Sequence, residues 1–260
     1  MITISSQILD PYVQPIYAIA WSPDGQIIAF GGDRCEVYIW DVKYRKRIFT
    51  YRHQQSSIQA LVWSPDGTRL VVGYENGWVD VWDTAIRKVV TSYHGHRETI
   101  SSITCSPNGK HIASASYDHT VQIWDIQIGQ ASSVYEEHED VIFTVAWSPD
   151  GKYLASGAAD KTVQVWNAFT GMHTYTYLGH ATHPLGVVRA VGWSPNGNYL
   201  ASAGDDCTVQ VIDAKSGQHI VTCHEHQGHW WVRSFAWSPD SITIASGDHE
   251  GMVLVWSVAR

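Results

Sequence analysis

Charge is scarce in this chain. Asp, Glu, Lys and Arg make up 16% of its 260 residues, against about a quarter in an average soluble domain. The deficit falls on the cations, 17 Lys and Arg against 25 Asp and Glu, for a formal net charge of −8. A general affinity for nucleic acid or an anionic membrane is therefore not expected. Cysteine is also sparse: four residues, with no CxxC pair and no disulfide framework. The expectation is a reducing compartment, most simply the cytoplasm. No segment approaches ~18 consecutive apolar residues, so no membrane-spanning helix is expected. The opening MITISSQILD has no basic n-region and no long apolar run, and does not read as a signal peptide. No segment sustains a helical period either.

What is present is repetition. WSPDG stands at 21–25, 63–67 and 147–151, with CSPNG at 105–109, WSPNG at 193–197 and WSPDS at 237–241. Successive Ser-Pro pairs lie 42, 42, 42, 46 and 44 residues apart. Self-similarity at such a period sets the architecture before any local motif does. In the turn, Pro pre-sets φ at the second position and Gly tolerates positive φ at the fourth. β-branched and aromatic runs flank it, such as SIQALVW before and RLVVGY after. A second tight turn follows, then a short strand such as VYIW or VQVW, then a fourth such as HTYTYL. Each unit thus reads as a four-stranded antiparallel sheet.

The Gly-His pairs Gly95-His96 and Gly179-His180, and the Trp-Asp pairs at 40–41, 82–83 and 124–125, resemble WD40 repeats. The resemblance covers nearly the whole chain in six units. It implies an all-β, six-bladed propeller, residues 1–260 forming one domain, although seven blades are commoner in the family. The last unit stops one strand short, and register places Ile2–Leu9 where other units carry their fourth strand. The expectation is that this N-terminal strand completes the last blade beside about Met252–Trp256, removing an open edge. Ten of the 13 tryptophans fall on repeat positions, at the ends of strand one (Trp21, Trp63, Trp147, Trp193, Trp237) or strand three (Trp40, Trp82, Trp124, Trp166, Trp256), and are expected in core between sheets. Cys105, in place of a strand-one Trp, is expected as a buried thiol. Trp78, Trp230 and Trp231 have no such explanation.

Ser, His and Asp together suggest a nucleophilic hydrolase. The sets recur, however: His96, Ser114, Asp118 and Trp124 in blade three, His138, Ser156, Asp160 and Trp166 in blade four, His180, Ser202 and Asp206 in blade five. They match the hydrogen-bonded structural tetrad of the WD40 family, which implies that indole, hydroxyl, imidazole and carboxylate satisfy one another. Neither serine of blades three and four sits in a Gly-x-Ser-x-Gly elbow. No catalytic residue is assigned. Blade five replaces Trp by Ile212; blade six offers Ser246, Glu250 and Trp256 with a displaced His226 or His229; blade two has Val72 and Asn76, with His53 one place out of register; blade one has Phe30 and Arg34. Blades three and four are expected to be the most rigid, blade one the most tolerant.

The cluster HEHQGH (His224, His226, His229) invites a zinc reading. His180 of the preceding blade and one of His226 or His229 are wanted by tetrads, and no Cys or carboxylate pair has ligand spacing, so no metal and no cofactor are expected. Lys43–Arg47, KYRKR, reads as a solvated hairpin. Insertions in GHATHPLGV and HEHQGHWWV lengthen the connections into blades five and six, which the resemblance puts on the top face. Loops on a rigid scaffold are where binding is usually built.

Register then selects two rings around the top of the channel: Tyr17, Gln59, Ser101, Phe143, Arg189 and Arg233, and Asp33, Glu75, Tyr117, Ala159, Asp205 and His249. With Trp230 and Trp231 they make a surface rich in aromatics and Arg, the types that dominate interface energetics. The partner-binding set is Tyr17, Asp33, Tyr117, Phe143, Arg189, Asp205, Trp230, Trp231, Arg233 and His249. Arg189 and Arg233 would hold a carboxylate or carbonyls, unless Arg189 simply pairs with Asp205. The expected role is a non-catalytic scaffold that captures a peptide or loop of a protein partner, with no nucleic acid and no membrane involved. A glycan- or small-ligand-binding propeller, with Trp230 and Trp231 as stacking platforms, is the alternative. The chain is expected to be a monomer or a domain of a larger signalling or regulatory chain.

Overall fold

The computed structural model describes residues 15–52, 55–226 and 231–258. They form six antiparallel sheets, each a simple meander in sequence order. Sheet one holds β1 (Ile16–Trp21), β2 (Ile27–Gly32), β3 (Glu36–Asp41) and β4 (Lys46–Arg52). Sheet two holds β5 (Ile58–Trp63), β6 (Arg69–Tyr74), β7 (Val79–Asp83) and β8 (Lys88–Tyr93). Sheet three holds β9 (Ile100–Cys105), β10 (His111–Ser116), β11 (Val121–Asp125) and β12 (Ala131–Tyr135). Sheet four holds β13 (Ile142–Trp147), β14 (Tyr153–Ala158), β15 (Val163–Asn167) and β16 (His173–Tyr177). Sheet five holds β17 (Val188–Trp193), β18 (Tyr199–Gly204), β19 (Val209–Asp213) and β20 (His219–Cys223), preceded by a 3₁₀ turn at His180–Thr182. Sheet six has three strands among the described residues, β21 (Val232–Trp237), β22 (Thr243–Asp248) and β23 (Val253–Ser257). Residues 2–9, expected as its fourth strand, lie outside the described residues.

The Ser-Pro-Asp/Asn-Gly stretch builds the turn between strands one and two through its own side chains. In sheet one, Ser22 Oγ accepts from the backbone N–H of Ile27 at 2.9 Å and donates to Asp24 Oδ1. Asp24 Oδ1 also accepts from Gln26 N at 3.0 Å, and Gly25 N donates to Ser22 O at 2.9 Å. Gly25 sits at φ +68°, which its missing Cβ permits. Sheet six carries Ser241 there instead, at φ +64°, and its hydroxyl accepts the backbone N–H of Asn196 in sheet five at 3.0 Å.

The sheets pack in series through their first strands, β1 on β5, β5 on β9, β9 on β13, β13 on β17 and β17 on β21. Each core lies between neighbouring sheets rather than within one. Val121 and Ile123 of β11, for example, meet Ile142, Val145 and Trp147 of β13. Burying each such aliphatic side chain contributes about 1.5–3 kcal/mol. Trp63, Trp193 and Trp237 also donate their indole N–H groups to backbone carbonyls of the preceding sheet, at 3.2, 3.1 and 3.0 Å. Trp21 departs from this pattern: it is exposed, because no described sheet packs on that side of sheet one. Cys105 is only partly buried, although burial pushes its thiol pKa up to about 12. Trp78 rests against the core between sheets one and two, and its ring meets His94 at a tilt, with centroids 4.0 Å apart.

Candidate functional site

The candidate site lies at the end of the sheets that carries the connections from strand four to strand one and the turns between strands two and three. At this end every first strand contains a β-bulge, and its extra residue is Tyr17, Gln59, Ser101, Phe143, Arg189 or Arg233. A bulge leaves one residue out of the ladder and re-aims its side chain. The second ring is fixed beside the first by one repeated backbone hydrogen bond. Asp33, Glu75, Tyr117, Ala159, Asp205 and His249 each donate N–H to the carbonyl two residues before the bulge residue of the same sheet, at 2.8–3.3 Å. The two rings picked out by register are therefore adjacent rows on one rim.

The rim has two unlike sectors. On sheets one and two it is acidic: Asp33 accepts a hydrogen bond from the Tyr17 hydroxyl, which raises the phenol's pKa, with burial and the charges of Asp33 and Glu75 adding to the effect. Ser57 Oγ donates to Glu75 Oε2 at 2.5 Å. On sheets three to six the rim carries a stack of alternating rings and guanidinium groups. Tyr117 meets Phe143 edge-on at 5.7 Å, Arg189 lies over the Phe143 ring at 4.2 Å, and Trp231 is 5.6 Å from Arg189 and 4.9 Å from Arg233. His249 closes the row against Trp231 at 5.8 Å. Arg189 makes a two-pronged ion pair with Asp205, Nε to Oδ1 at 2.8 Å and Nη2 to Oδ2 at 2.6 Å, and Asp205 is buried. Its charge is answered within the protein. Arg233 is exposed, and no carboxylate of the described residues lies within ion-pair distance of it. Trp230 and His229 lie outside the described residues, as does His53.

Beneath the rim sit the Ser, His and Asp sets. His96 Nδ1 is 2.9 Å from Asp118 Oδ2 and its Nε2 2.8 Å from Ser114 Oγ. The carboxylate can only accept, so Nδ1 carries the proton and Nε2 accepts from the serine. His138, Asp160 and Ser156 repeat the arrangement at 2.7 and 2.7 Å, and His180, Asp206 and Ser202 at 2.7 and 2.8 Å. Sheet six has it as well, with a correction. His226 takes the histidine position, and its acid is Asp248 at 3.0 Å rather than Glu250. Asp248, at the end of β22, is two residues closer to Ser246 than the repeat spacing implies, and the shortened approach brings its carboxylate to His226. Burial by itself would raise the pKa of these four aspartates. The hydrogen bond from the facing histidine, with those from nearby hydroxyl or backbone N–H groups, outweighs it, and each carboxyl stays below its ordinary range.

The indoles correct the tetrad in a second way. Trp124 and Trp166 Nε1 find no hydrogen-bond partner among the described residues. These rings are held by stacking on a tyrosine of the preceding sheet, Tyr93 on Trp124 at 5.1 Å and Tyr135 on Trp166 at 4.3 Å, within 10° and 3° of parallel. The same tyrosines donate to a glutamine two residues before the tryptophan: Tyr135 to Gln164 Oε1 at 2.7 Å, and Tyr93 to Gln122 likewise. Tyr177 does so to Gln210 at 2.5 Å. Gln122 Nε2 in turn reaches His96 and Thr120 at 3.3 and 3.2 Å. The network therefore ties sheets three, four and five each to the one before it. Sequence reasoning missed this link, although a Tyr 29 residues ahead of a Gln in two successive units was its signal. Sheet two substitutes a fully buried Asp80 at the glutamine position, bonded to Ser92 Oγ at 2.6 Å and approached by Tyr51 at 3.5 Å.

The arrangement has the donor order of a hydrolase triad. The hydroxyls of Ser114, Ser156, Ser202 and Ser246 are nevertheless buried, and four copies occur.

Comparison with known families gives two matches. A model described as the Anaphase-promoting complex subunit 4 WD40 domain matches residues 19–105. The WD domain, G-beta repeat model matches four times, at 87–125, 129–167, 171–213 and 217–257. The chain belongs to the WD40 repeat family. WD40 repeats generally mediate protein–protein interaction, and the family is typically non-catalytic. No curated protein matches the chain. Each matched WD40 repeat starts at or before a fourth strand and ends at the third strand of the next sheet, as with β8 through β11 for 87–125. The WD40 sequence unit is thus offset by one strand from the sheet.

Proposed function

We propose that this WD40 protein is a non-catalytic scaffold that captures a peptide or loop of a protein partner on the rim of sheets four to six. The observation that carries the reading is the stack of Phe143, Arg189, Trp231 and Arg233, raised out of the ladder at three bulges. Desolvated aromatic and Arg groups on a rigid base supply interface energy at little ordering cost. Within the stack the two arginines divide the work. Arg189, tied to Asp205, positions the rings, and Arg233 meets a carboxylate or carbonyl of the partner. Tyr17, Asp33 and Tyr117 extend the surface toward the acidic sector.

We further infer one six-bladed domain spanning 1–260; the closing strand expected from residues 2–9 lies outside the described residues. The six described sheets, packed in series through their first strands, support this. Four free cysteines fit a reducing, cytoplasmic setting, and the protein acts as a monomer or within a larger regulatory chain.

Affinity capture from source lysate tests the rim. The wild-type domain retains a partner that Arg233→Glu releases at least tenfold faster, with an unchanged melting temperature for the variant. Retention of the same partner by both would move binding off this rim.

A further inference from the structure

The opposite end of the sheets carries a feature that the rim reading does not use. There the hairpins between strands three and four of sheets one to five share one geometry, with a residue of positive φ one or two places before strand four. In sheets three, four and five that residue is glycine, at φ +65°, +67° and +70° for Gly129, Gly171 and Gly217. In sheets one and two it is Arg45, at φ +50°, and Arg87, at φ +55°. A long side chain is disfavoured in this region, and Asn, Asp or His would be the usual exceptions. Two successive hairpins thus hold a strained arginine where their neighbours use the unstrained residue. Strain of this kind marks places where the side chain is wanted.

The surroundings say what it is wanted for. Both arginines are exposed and flanked by exposed lysines, and residues 43–47 with 87–88 hold six of the chain's 17 Lys and Arg in a protein of net charge −8. One residue before each arginine stands a large apolar side chain in the open, Tyr44 at 65% and Ile86 at 59% exposure. Ile128 and Phe169 continue the row on the hairpins of sheets three and four, at 65% and 55%, without added charge. Lys43 and Lys46 lie 5.4 and 5.7 Å from the Tyr44 ring, and Arg87 5.4 Å from the Phe49 ring, so the cations sit beside apolar surface. Of the carboxylates on these two hairpins, Asp41 is engaged by the backbone N–H of Tyr44 and Asp83 by Arg69 and two backbone N–H groups.

We propose that this row is a second docking surface, for an acidic protein segment whose apolar side chains meet Tyr44, Ile86, Ile128 and Phe169 and whose carboxylates meet Arg45 and Arg87. Charge complementarity selects the occupant, since the cations concentrate at one end of an otherwise acidic chain. An acidic segment is preferred over an anionic bilayer because the whole-protein charge opposes approach to a charged sheet of lipid, while a single chain meets only the local patch.

The test uses a swap already present in the fold, Arg45→Gly with Arg87→Gly. The probes are a fluorescein-labelled peptide of alternating Glu and Leu, a Lys and Leu peptide of equal length, and vesicles containing phosphatidylserine. The expected result is binding of the acidic peptide that weakens with salt, at least tenfold weaker binding by the double variant, and an unchanged or higher melting temperature. The Lys peptide and the vesicles should not bind. Equal affinity of variant and wild type, no binding of the acidic peptide, or tighter binding to vesicles would each overturn the proposal. Arg233→Glu serves as a control that leaves this binding unchanged, so failure here and failure of the rim reading are separable.

Discussion

The junction between sheets three and four and the two outward faces of sheets six and one are built from the same residue pattern, yet they differ in burial. At the inner junction Val121, Ile123 and Ile142 are 0% exposed and Val145 is 5%. At the matching positions Val253 and Val255 are each 69% exposed, Ile16 40% and Ile19 64%. The pattern of a repeat states which face can be buried; only a neighbour buries it. In sheets three and four that neighbour also brings a tyrosine that stacks on the tryptophan and bonds the glutamine, so apolar and polar contacts cross the junction together.

The comparison is broken most severely by removing residues 1–10. The strand expected from residues 2–9 lies outside the described residues, and its loss would leave the edge of β23 unpaired. About four ladder hydrogen bonds at about 1 kcal/mol each amount to roughly 4 kcal/mol. For a chain of this size that is a fall in melting temperature of about 10 °C. Differential scanning calorimetry reads it directly, and an unchanged melting temperature would sink the closing strand.

A smaller effect separates the polar networks. Asp118 accepts from His96, from the backbone N–H groups of Arg97 and Thr120, and from the Thr120 hydroxyl. Asp118→Ala strands these donors and should cost about 3 kcal/mol. Asp33→Ala, at an exposed turn of sheet one, should stay within about 0.5 kcal/mol. Acid titration sharpens the contrast. Because the folded pKa of Asp118 is depressed, its contribution is complete above the unfolded value near ~4 and is lost as pH falls through the folded value. Asp160, Asp206 and Asp248 act in the same sense. Stability measured by urea melts should fall steeply below about pH 4, and Asp118→Asn should reduce the proton uptake on unfolding by about one. A wild-type slope for Asp118→Asn would remove Asp118 from the groups that set the acid limit.

Much of this was legible because a repeat makes register visible. Tyr17, Phe143, Arg189 and Arg233 stand at one offset from the first aliphatic residue of strand one, and a bulge at that offset in each sheet puts them on the rim. The bulge itself leaves no residue signature, since Gln, Ser, Phe and Arg all occupy it. Asp248 was missed because counting from Ser246 assumes a constant turn, and sheet six reaches its histidine by a shorter route. The roles of Trp124 and Trp166 were misread for a related reason: an indole can stack or donate, and only the position of Tyr93 or Tyr135 decides between them. The pairing of Arg189 with Asp205 was one of two readings that the charges alone allowed.

The smallest expected effect is the most diagnostic of how neighbouring sheets are tied. Ser241 holds φ +64° where five sister turns have glycine, and its buried hydroxyl accepts the Asn196 N–H across the sheet five–six junction at 3.0 Å. Ser241→Gly relieves the backbone by about 0.4–1 kcal/mol and loses a hydrogen bond worth about 1 kcal/mol. The two nearly cancel, so the melting temperature should move by no more than about 2 °C. Ser241→Ala keeps the strain and strands the same N–H, and should be about 1 kcal/mol less stable than Ser241→Gly. That gap isolates the backbone term, while the difference between Ser241 and Ala reads the hydrogen bond alone. If Ala matches the wild type, the hydroxyl contributes nothing at this junction, and sheet six is held to sheet five by its apolar face and the Trp237 indole only.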